Sequence, residues 1–490
     1  MSSRPDVVVI GVGPGGMATA VTLASEGVDV QVVDEQRSPG GQVYRGIEDA
    51  YARRAEDADI LGEQYASGID LVRQFRESGA AFWPSTSVWE VSGGSGGTSL
   101  AVRMLRNGRS VTLTPKHVVL ATGAMERPTP FPGWTLPGVM GVGAAQTLLK
   151  GAALVPSGRV VLAGSGPLLY LFAWQLLQAG IVPARLLDTT PAVSLNALRA
   201  LPAAALHGAP ELLRGAKWLA AIRRAGIVTE TRVLKLRAIG QDRLEAVEYG
   251  CGSRTRTLDA DLLLVHDGVV PSTWLAMSMA CEHVWDATHQ CWVPRLDGSG
   301  ASSREGVSIV GDAGGIGGSD VAKIRGRIAG LHLARGLGKM DGPLAAKQIA
   351  RGHHELRGLL SLRRFLDFRY PPSPMFQSPQ GDDTIVCRCE EVTVADLKAV
   401  AALGVTGPNQ GKAFTRCGMG PCMGRECAAT VSQLIAGYHG LRIEDVGCYR
   451  IRPPVRPITV GQLADVEIDD DTDRSASGAD VFAALSGRVR

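Results

Sequence analysis

Four apolar, mostly β-branched residues, Val7 to Ile10, run straight into Gly11-Val-Gly13-Pro14-Gly15-Gly16 and then into MATAVTLASEG, a helical pattern that stops at Gly27. This strand, tight turn and helix commit the start of the chain to parallel α/β architecture, because a helix that follows so closely must cross back over the sheet. Gly11 permits the tight turn, Gly13 lets backbone approach a pyrophosphate, and Gly16 allows close helix packing, with the positive end of the helix dipole facing the phosphates. The next strand, VQVVDE, ends in Asp34 and Glu35, where a carboxylate can accept hydrogen bonds from ribose hydroxyls. A lone GxGxxG is a weak signal, matched by any glycine turn beside a surface acid. Strand, helix and acid together make it a dinucleotide site.

Apolar runs alternate with helical patterns to about residue 340, and a second strand-turn-helix unit opens at Val160. VVLATGA, with Ala121, Thr122 and Gly123, resembles the second flavoprotein marker, a strand that returns under the cofactor. VSIVGDAGGIGG, with Gly311 and Asp312, resembles the third, in which the aspartate bonds the ribityl chain of FAD. The second unit, Gly164-Ser-Gly166-Pro-Leu-Leu169, puts Leu where the third glycine belongs, and its following strand ends in Asp188. It reads as degraded or repurposed rather than as a working NAD(P)H site. The expected fold is therefore a doubly wound, Rossmann-like flavoprotein with two dinucleotide-binding domains. The FAD-binding domain is assigned to 1–155 and 259–345, with a second nucleotide-binding-like domain inserted at 156–258. Ser92 to Gly97, SGGSGG, reads as a hairpin turn.

SPGGQVYR, Ser38 to Arg45, lies where a disulfide reductase places its redox cysteine pair, and it holds no cysteine. Gly41, Gln42 and Arg45 there join the candidate cofactor contacts. Cys251, Cys281 and Cys291 form no CxxC, and His266, His283, His289, His353 and His354 lack metal-like spacing, so structural roles are expected for all of them. No acid/base pair stands out as catalytic. A net charge of +3 without long runs of like charge argues against nucleic acid as a partner. The most apolar stretch, Leu168 to Leu177, is about half the length of a bilayer-spanning helix and reads as buried. The few residues before Val7 leave no room for a signal peptide, so the chain reads as cytoplasmic.

Arg363 to Gln380 combines arginines, aromatics and four prolines and cannot stay helical through its second half. A connecting arm is assigned to 346–382. Beyond it, Cys387, Cys389, Cys417, Cys422 and Cys427 crowd together, with Cys448 a little further on. Such crowding in a reducing compartment points to metal. Thr393 with Asp396 caps an expected helix over Val394 to Leu403, which folds the two cysteine groups towards each other. CxC is cramped for a zinc chelate pair, so a [2Fe-2S] cluster on Cys387, Cys389, Cys417 and Cys422 is expected, with Cys427 in reserve and a structural zinc knot as the alternative. This small α-rich module is assigned to 383–450, and 451–490 to a C-terminal arm and a disordered, acidic tail.

CRCEEVT followed by FTRCGMGPCMGREC resembles the [2Fe-2S] module of bacterioferritin-associated ferredoxins. Joined to GVGPGGMAT, DEQRSPGGQVYR, ATGAMERPTPFPGWTLPGVM and GDAGGIGGSD, it resembles the α subunits of heteromeric dehydrogenases of proline, hydroxyproline, opines and glycine (hydrogen cyanide synthase), and more distantly heterotetrameric sarcosine oxidase. GREC replaces the GRMC frequent in that group, and VHDGVVPSTW resembles the cyanide-forming and opine-type branch. The resemblance implies a dinucleotide on the first site, FAD in preference to NAD or another adenine nucleotide, together with the [2Fe-2S] cluster and an FMN near a subunit interface. It also implies a D-amino-acid-oxidase-like flavoprotein β subunit that oxidises the C–N bond, with room for a small third subunit and for peripheral contact with a respiratory acceptor. The rival reading is a stand-alone NAD(P)H-dependent flavin and [2Fe-2S] reductase.

Overall fold

The computed structural model describes residues 4–53, 57–94, 99–252 and 254–466. Two five-stranded parallel sheets dominate. The first has the order Val307–Ile309, His117–Leu120, Val7–Ile10, Val30–Val33, Ala81–Trp83. Its central strand is buried on both faces, as the unbroken VVVI run requires. The second has the order Thr229–Thr231, Arg185–Asp188, Val160–Ser165, Leu262–Asp267, Val139–Gly141. Each sheet carries an antiparallel three-stranded meander, Thr86–Ser92, Ala101–Arg106 and Arg109–Leu113 for one, Val233–Ile239, Ala246–Cys251 and Arg254–Asp259 for the other.

The chain leaves the first sheet and returns to it through one antiparallel ribbon, Ala124–Glu126 against Val269–Pro271. The inserted unit therefore reaches beyond the expected 156–258, since Val139–Gly141 and Leu262–Asp267 both pair within the second sheet. VMG is too short to show periodicity, and LLLVHD reads equally well as a strand of either sheet. The apolar stretch after Gly166 is the helix Pro167–Gln178, with Leu169, Phe172, Ala173 and Leu176 fully buried. Residues 95–98 of the glycine-rich turn lie outside the described residues, but the strands on either side pair as a hairpin.

The arm assigned to 346–382 is helical as far as Arg369, nearly two thirds of its length. A helix runs from Gly342 to Arg369, capped by the Asp341 carboxylate on Leu344 N, and packs on the helices Leu195–Arg224 and Ser319–Gly336. Its many arginines hide a narrow packing stripe, and the first helix breaker comes only at Tyr370-Pro-Pro. Beyond that point the chain is irregular apart from Pro374–Gln377.

The cysteine module has a short ribbon, Ile385–Cys387 with Val392–Thr393, and helices Val394–Ala402, Pro408–Thr415, Ala428–His439 and Ile443–Val446. Thr393 and Asp396 form a reciprocal capping box at the start of the first of these helices. The module shares one core with the first sheet and its meander: Val8, Ile10 and Leu120 of the sheet and Val91 of the meander belong to the same buried cluster as Val386, Leu397, Val431 and Ile435. Ile451 and Val455 of the C-terminal arm belong to it too, and beyond them Val460–Ala464 forms a short helix with no buried residue. The tail from Glu467 lies outside the described residues.

Candidate functional site

One cavity of about 1480 Å³ begins at the first glycine turn. Gly11, at φ +106°, sits where a Cβ would come within 2.3 Å of Ala121 O, and a Cβ on Gly16 would lie 1.9 Å from Gly11 O. Only hydrogen fits at either position. Gly13 faces the opening, with Gly41 Cα as its one close neighbour at 3.9 Å from an added Cβ, which leaves a bare backbone cradle. Pro14 provides the first residue of the helix Pro14–Ser25. Gly11, Gly13, Pro14, Gly15, Gly41, Gln42, Arg45, Ala121, Thr122, Gly123, Gly311 and Asp312 all line this cavity; Gly16 lies buried just behind it.

The two acids at the strand end divide their tasks. Asp34 accepts hydrogen bonds from Val12 N and Gln36 N, each at 2.7 Å, so it braces the turn, and burial pushes its carboxyl up despite those bonds. Glu35 instead forms an ion pair with Arg456, which comes from the C-terminal segment. Arg45 donates to Gln36 Oε1 at 2.8 Å and to Gln42 Oε1 at 3.2 Å. Asp312 Oδ1 accepts from Gly317 N at 2.8 Å and Gly318 N at 3.0 Å, ahead of the helix Ser319–Gly336.

Lys150 is a wall residue that none of the sequence motifs singles out. Its amine donates to Gln42 O at 3.2 Å and Gln146 Oε1 at 2.9 Å, and burial, with Arg45 nearby, pulls its pKa down to about 7. Its spacing of one helical turn from Gln146 in VGAAQTLLKGA was the available signal.

The cavity extends past Ser165, Gly166 and Leu168 of the second turn. There Leu169 is wholly buried, and Asp188 accepts the Tyr170 hydroxyl at 2.7 Å and Thr190 N at 2.8 Å, while Tyr370 packs 6.2 Å from the Tyr170 ring. The acid that a nucleotide ribose would need is thus already occupied. At the domain crossing, His266 Nδ1 lies 2.6 Å from Glu126 Oε1, and both oxygens of Glu126 lie 2.9 Å from Gly143 N. Asp267, pushed up to about 7 by burial against the pull of Arg127, accepts from Ser373 N. His289 is held by Asp286 at 2.6 Å and Asp367 at 3.0 Å, an internal ion-pair arrangement consistent with a structural histidine.

At its far end the same cavity is lined by Cys422, Arg425, Glu426, Val455 and Arg456. Trp274, also on the wall, donates its indole N–H to Met423 O at 2.8 Å and so ties the flavoprotein domain to the cysteine loop. The thiols divide differently from the expected set of Cys387, Cys389, Cys417 and Cys422. Cys387, Cys417 and Cys427 are buried with their sulfurs within 4.8 Å of one another, the one such group of His, Cys, Asp or Glu among the described residues. Cys389 and Cys422 hydrogen-bond as a second pair, Cys389 exposed and Cys422 on the cavity wall. Cys427, held in reserve on sequence spacing, enters the buried group because the GMGPCMGR loop curls back, with Met423 at φ +55° and Gly424 at φ +82°. Hydrogen bonds from Cys417 and Cys427 pull Cys387 down to about 2, while its bond to Cys387 pushes Cys417 up to about 12 against the pull of Cys427. The Tyr449 ring roofs the group: a Cβ on Gly418 or Gly424 would come within 2.5 Å and 2.7 Å of it. Soft thiolate donors converging from two loops fit an iron–sulfur cluster or zinc.

The pyridine nucleotide-disulphide oxidoreductase family matches residues 5–335, and the sarcosine oxidase A3 domain matches residues 382–466. The chain is 40% identical to an opine oxidase subunit of Agrobacterium tumefaciens, over 95% of this chain and 92% of that one. It is 32% identical to hydrogen cyanide synthase subunit HcnB of Pseudomonas protegens, over 94% and 97%. Among solved structures, L-proline dehydrogenase from P. horikoshii shares the fold at a TM-score of 0.67 and 19% identity, covering 94% of this chain and 79% of that one.

Proposed function

The chain belongs to the pyridine nucleotide-disulphide oxidoreductase family and, within it, to the group of opine oxidase and HcnB subunits, and on that premise we propose that it is the electron-transfer subunit of a heteromeric flavin-dependent dehydrogenase acting on an amino acid or secondary amine. Oxidation of the C–N bond falls to a D-amino-acid-oxidase-like partner subunit, and this chain passes the electrons on to a respiratory acceptor. One observation carries the reading: the glycine cradle at Gly11–Gly16 and the thiol loop at Cys422–Glu426 are walls of a single cavity.

The residues fit FAD. A side chain at Gly11 or Gly16 would collide with backbone, and Gly13 and Gly41 leave main chain bare for a pyrophosphate. Glu35 is the acid that can accept ribose hydroxyls, since Asp34 braces the turn. Asp312 keeps one oxygen for the ribityl chain while the other holds Gly317 and Gly318. Four thiols drawn from Cys387, Cys389, Cys417, Cys422 and Cys427 hold a [2Fe-2S] cluster, which supplies one-electron transfer when bound. The cavity of about 1480 Å³ exceeds the roughly 300–1,000 Å³ usual for a single ligand, which supports a second flavin, FMN, towards the partner.

The rival, a stand-alone NAD(P)H reductase, needs the second crevice, where Tyr170 and Thr190 already take Asp188. The test is anaerobic purification with flavin, iron and sulfide analysis, followed by NADH or NADPH without any partner. Bound flavin and iron that pyridine nucleotide does not reduce are the expected result. Prompt flavin bleaching would overturn the proposal in favour of the rival.

A further inference from the structure

We infer that the helix Leu195–Arg224 is a membrane-surface helix, by which the chain lies on a bilayer that displays anionic phospholipids. Such docking needs none of the cofactors assigned above. Up to the break at Gly208 this helix is turned inside out. Its buried residues are the small ones, Ala197, Ala204 and Gly208, spaced seven and four apart, and so they form one stripe. The stripe packs on the helix Gly342–Arg369, so closely that a Cβ on Gly208 would lie 2.9 Å from Leu362. Leucines take the opposite side. Leu195, Leu198 and Leu206 are 71%, 54% and 77% exposed, and steps of three and four residues through exposed Pro202 set them on one face. A surface helix ordinarily points such a stripe at the core. Leucines exposed on consecutive turns instead mark a contact surface.

Charge names the occupant. The helix holds Arg199, Arg214, Lys217, Arg223 and Arg224 against one acid, Glu211, which is already paired with Arg214 at 2.7 Å. Arg199 stands one turn from Leu195 on the leucine face, and Arg199, Lys217, Arg223 and Arg224 are exposed with no ion pair among the described residues. The two helices packed most extensively on this one do not cancel the surplus. Pro167–Gln178 has no charged residue, and Gly342–Arg369 has six Lys and Arg against Glu355 and Asp367, both ion-paired. The two charged helices together hold eleven Lys and Arg against three acids, a surplus of eight in a chain whose net charge is +3. The rest of the chain is therefore net acidic, and the positive charge is gathered here. Up to Gly208 the helix carries no Phe, Tyr, Trp or Met, the types that anchor protein interfaces. Exposed leucine beside unpaired Lys and Arg is what a helix lying at headgroup level presents: the leucines enter the boundary with the acyl chains, and the cations meet lipid phosphates. Further along the same helix Leu212 and Leu219 line the large cavity, so the docked helix stands between lipid and cavity.

The test is co-sedimentation of the full purified chain with vesicles of equal parts phosphatidylglycerol and phosphatidylcholine, against vesicles of phosphatidylcholine alone. Wild type should bind the anionic vesicles about tenfold more tightly at low salt, and the advantage should shrink at high salt. Leu195→Gln/Leu206→Gln should weaken binding to anionic vesicles about tenfold. Both side chains are mostly exposed, so thermal unfolding of the free chain should stay as in wild type. Arg199→Gln/Lys217→Gln should remove most of the preference for phosphatidylglycerol, and it decides alone if the leucine variant unfolds early. Absent binding by wild type, or equal binding by wild type and both variants, overturns the membrane role. A wild-type chain that self-associates without lipid, and is monomeric in the leucine variant, gives the face to a second copy instead. Vesicle binding that disappears when the chain is in complex with a co-purifying subunit gives the face to that subunit, and either result overturns the assignment.

Discussion

Two strand–turn–helix units in this chain start from nearly the same glycines and finish in opposite states. At Gly11–Gly16 every glycine that touches backbone is kept, the strand-end acid Glu35 reaches the cavity, and the cradle at Gly13 lies open. At Gly164–Leu169 the strand and helix persist, but Leu169 fills the third position and Tyr170 takes Asp188. Asp34 and Asp188 each accept a backbone N–H two residues on; what differs is the third position, glycine in one turn and buried Leu169 in the other. The second turn still faces the cavity, but the Tyr170 hydroxyl occupies its strand-end acid.

The comparison can be broken most forcefully at Gly16. Gly16→Val places carbon on Gly11 O, 1.9 Å from the added Cβ, and should abolish bound flavin, read as the flavin-to-protein ratio after heat release; full occupancy would show that this crevice is not the flavin site. Next in size, Leu169→Ala empties a fully buried position and should cost about 2–5 kcal/mol in urea unfolding. Calorimetric titration should still find no NADH binding, because Tyr170 continues to hold Asp188; micromolar binding would mean that Leu169 alone closes the crevice.

The smallest effect is a pH dependence with two limbs, both from the inserted unit. Asp267, raised to about 7 from 3.8 by burial, keeps its proton when folded over a range in which the unfolded chain has lost it. Stability is thus fullest below 3.8 and falls as pH rises towards about 7. Lys150, lowered to about 7 from 10.5 by burial, is neutral when folded while the unfolded chain still holds the proton. Its contribution therefore rises with pH from about 7 to 10.5. Each limb has a slope of at most about 1.4 kcal/mol per pH unit. Asp267→Asn should flatten the lower limb of the urea midpoint against pH, and Lys150→Met the upper; a midpoint that ignores both substitutions would remove the burial argument.

What could be read in advance was what is local. The glycine turns, the markers at Ala121–Gly123 and Gly311–Asp312, and the Thr393/Asp396 box each depend on a few adjacent residues, and they stand where their spacing puts them. Long-range partnership escaped. Asp34 and Glu35 are equivalent on paper, and only Val12 N and Gln36 N distinguish them. Arg456 and Trp274 reach the cavity wall from distant parts of the chain. Cys427 joins Cys387 and Cys417 through two left-handed residues in a loop whose curl no spacing rule encodes. The helix Gly342–Arg369 was hidden because its packing stripe is narrow and its surface rich in arginine.

The common core of Val8 and Ile10 with Val431 and Ile435 has a consequence for biogenesis. The sheet and the thiol loops complete one another's core, so a ribosome must release nearly the entire polypeptide before that core can close. On the proposed reading, iron delivery and flavin uptake would then be steps on one assembly line, and starving the cell of either should leave the same immature product.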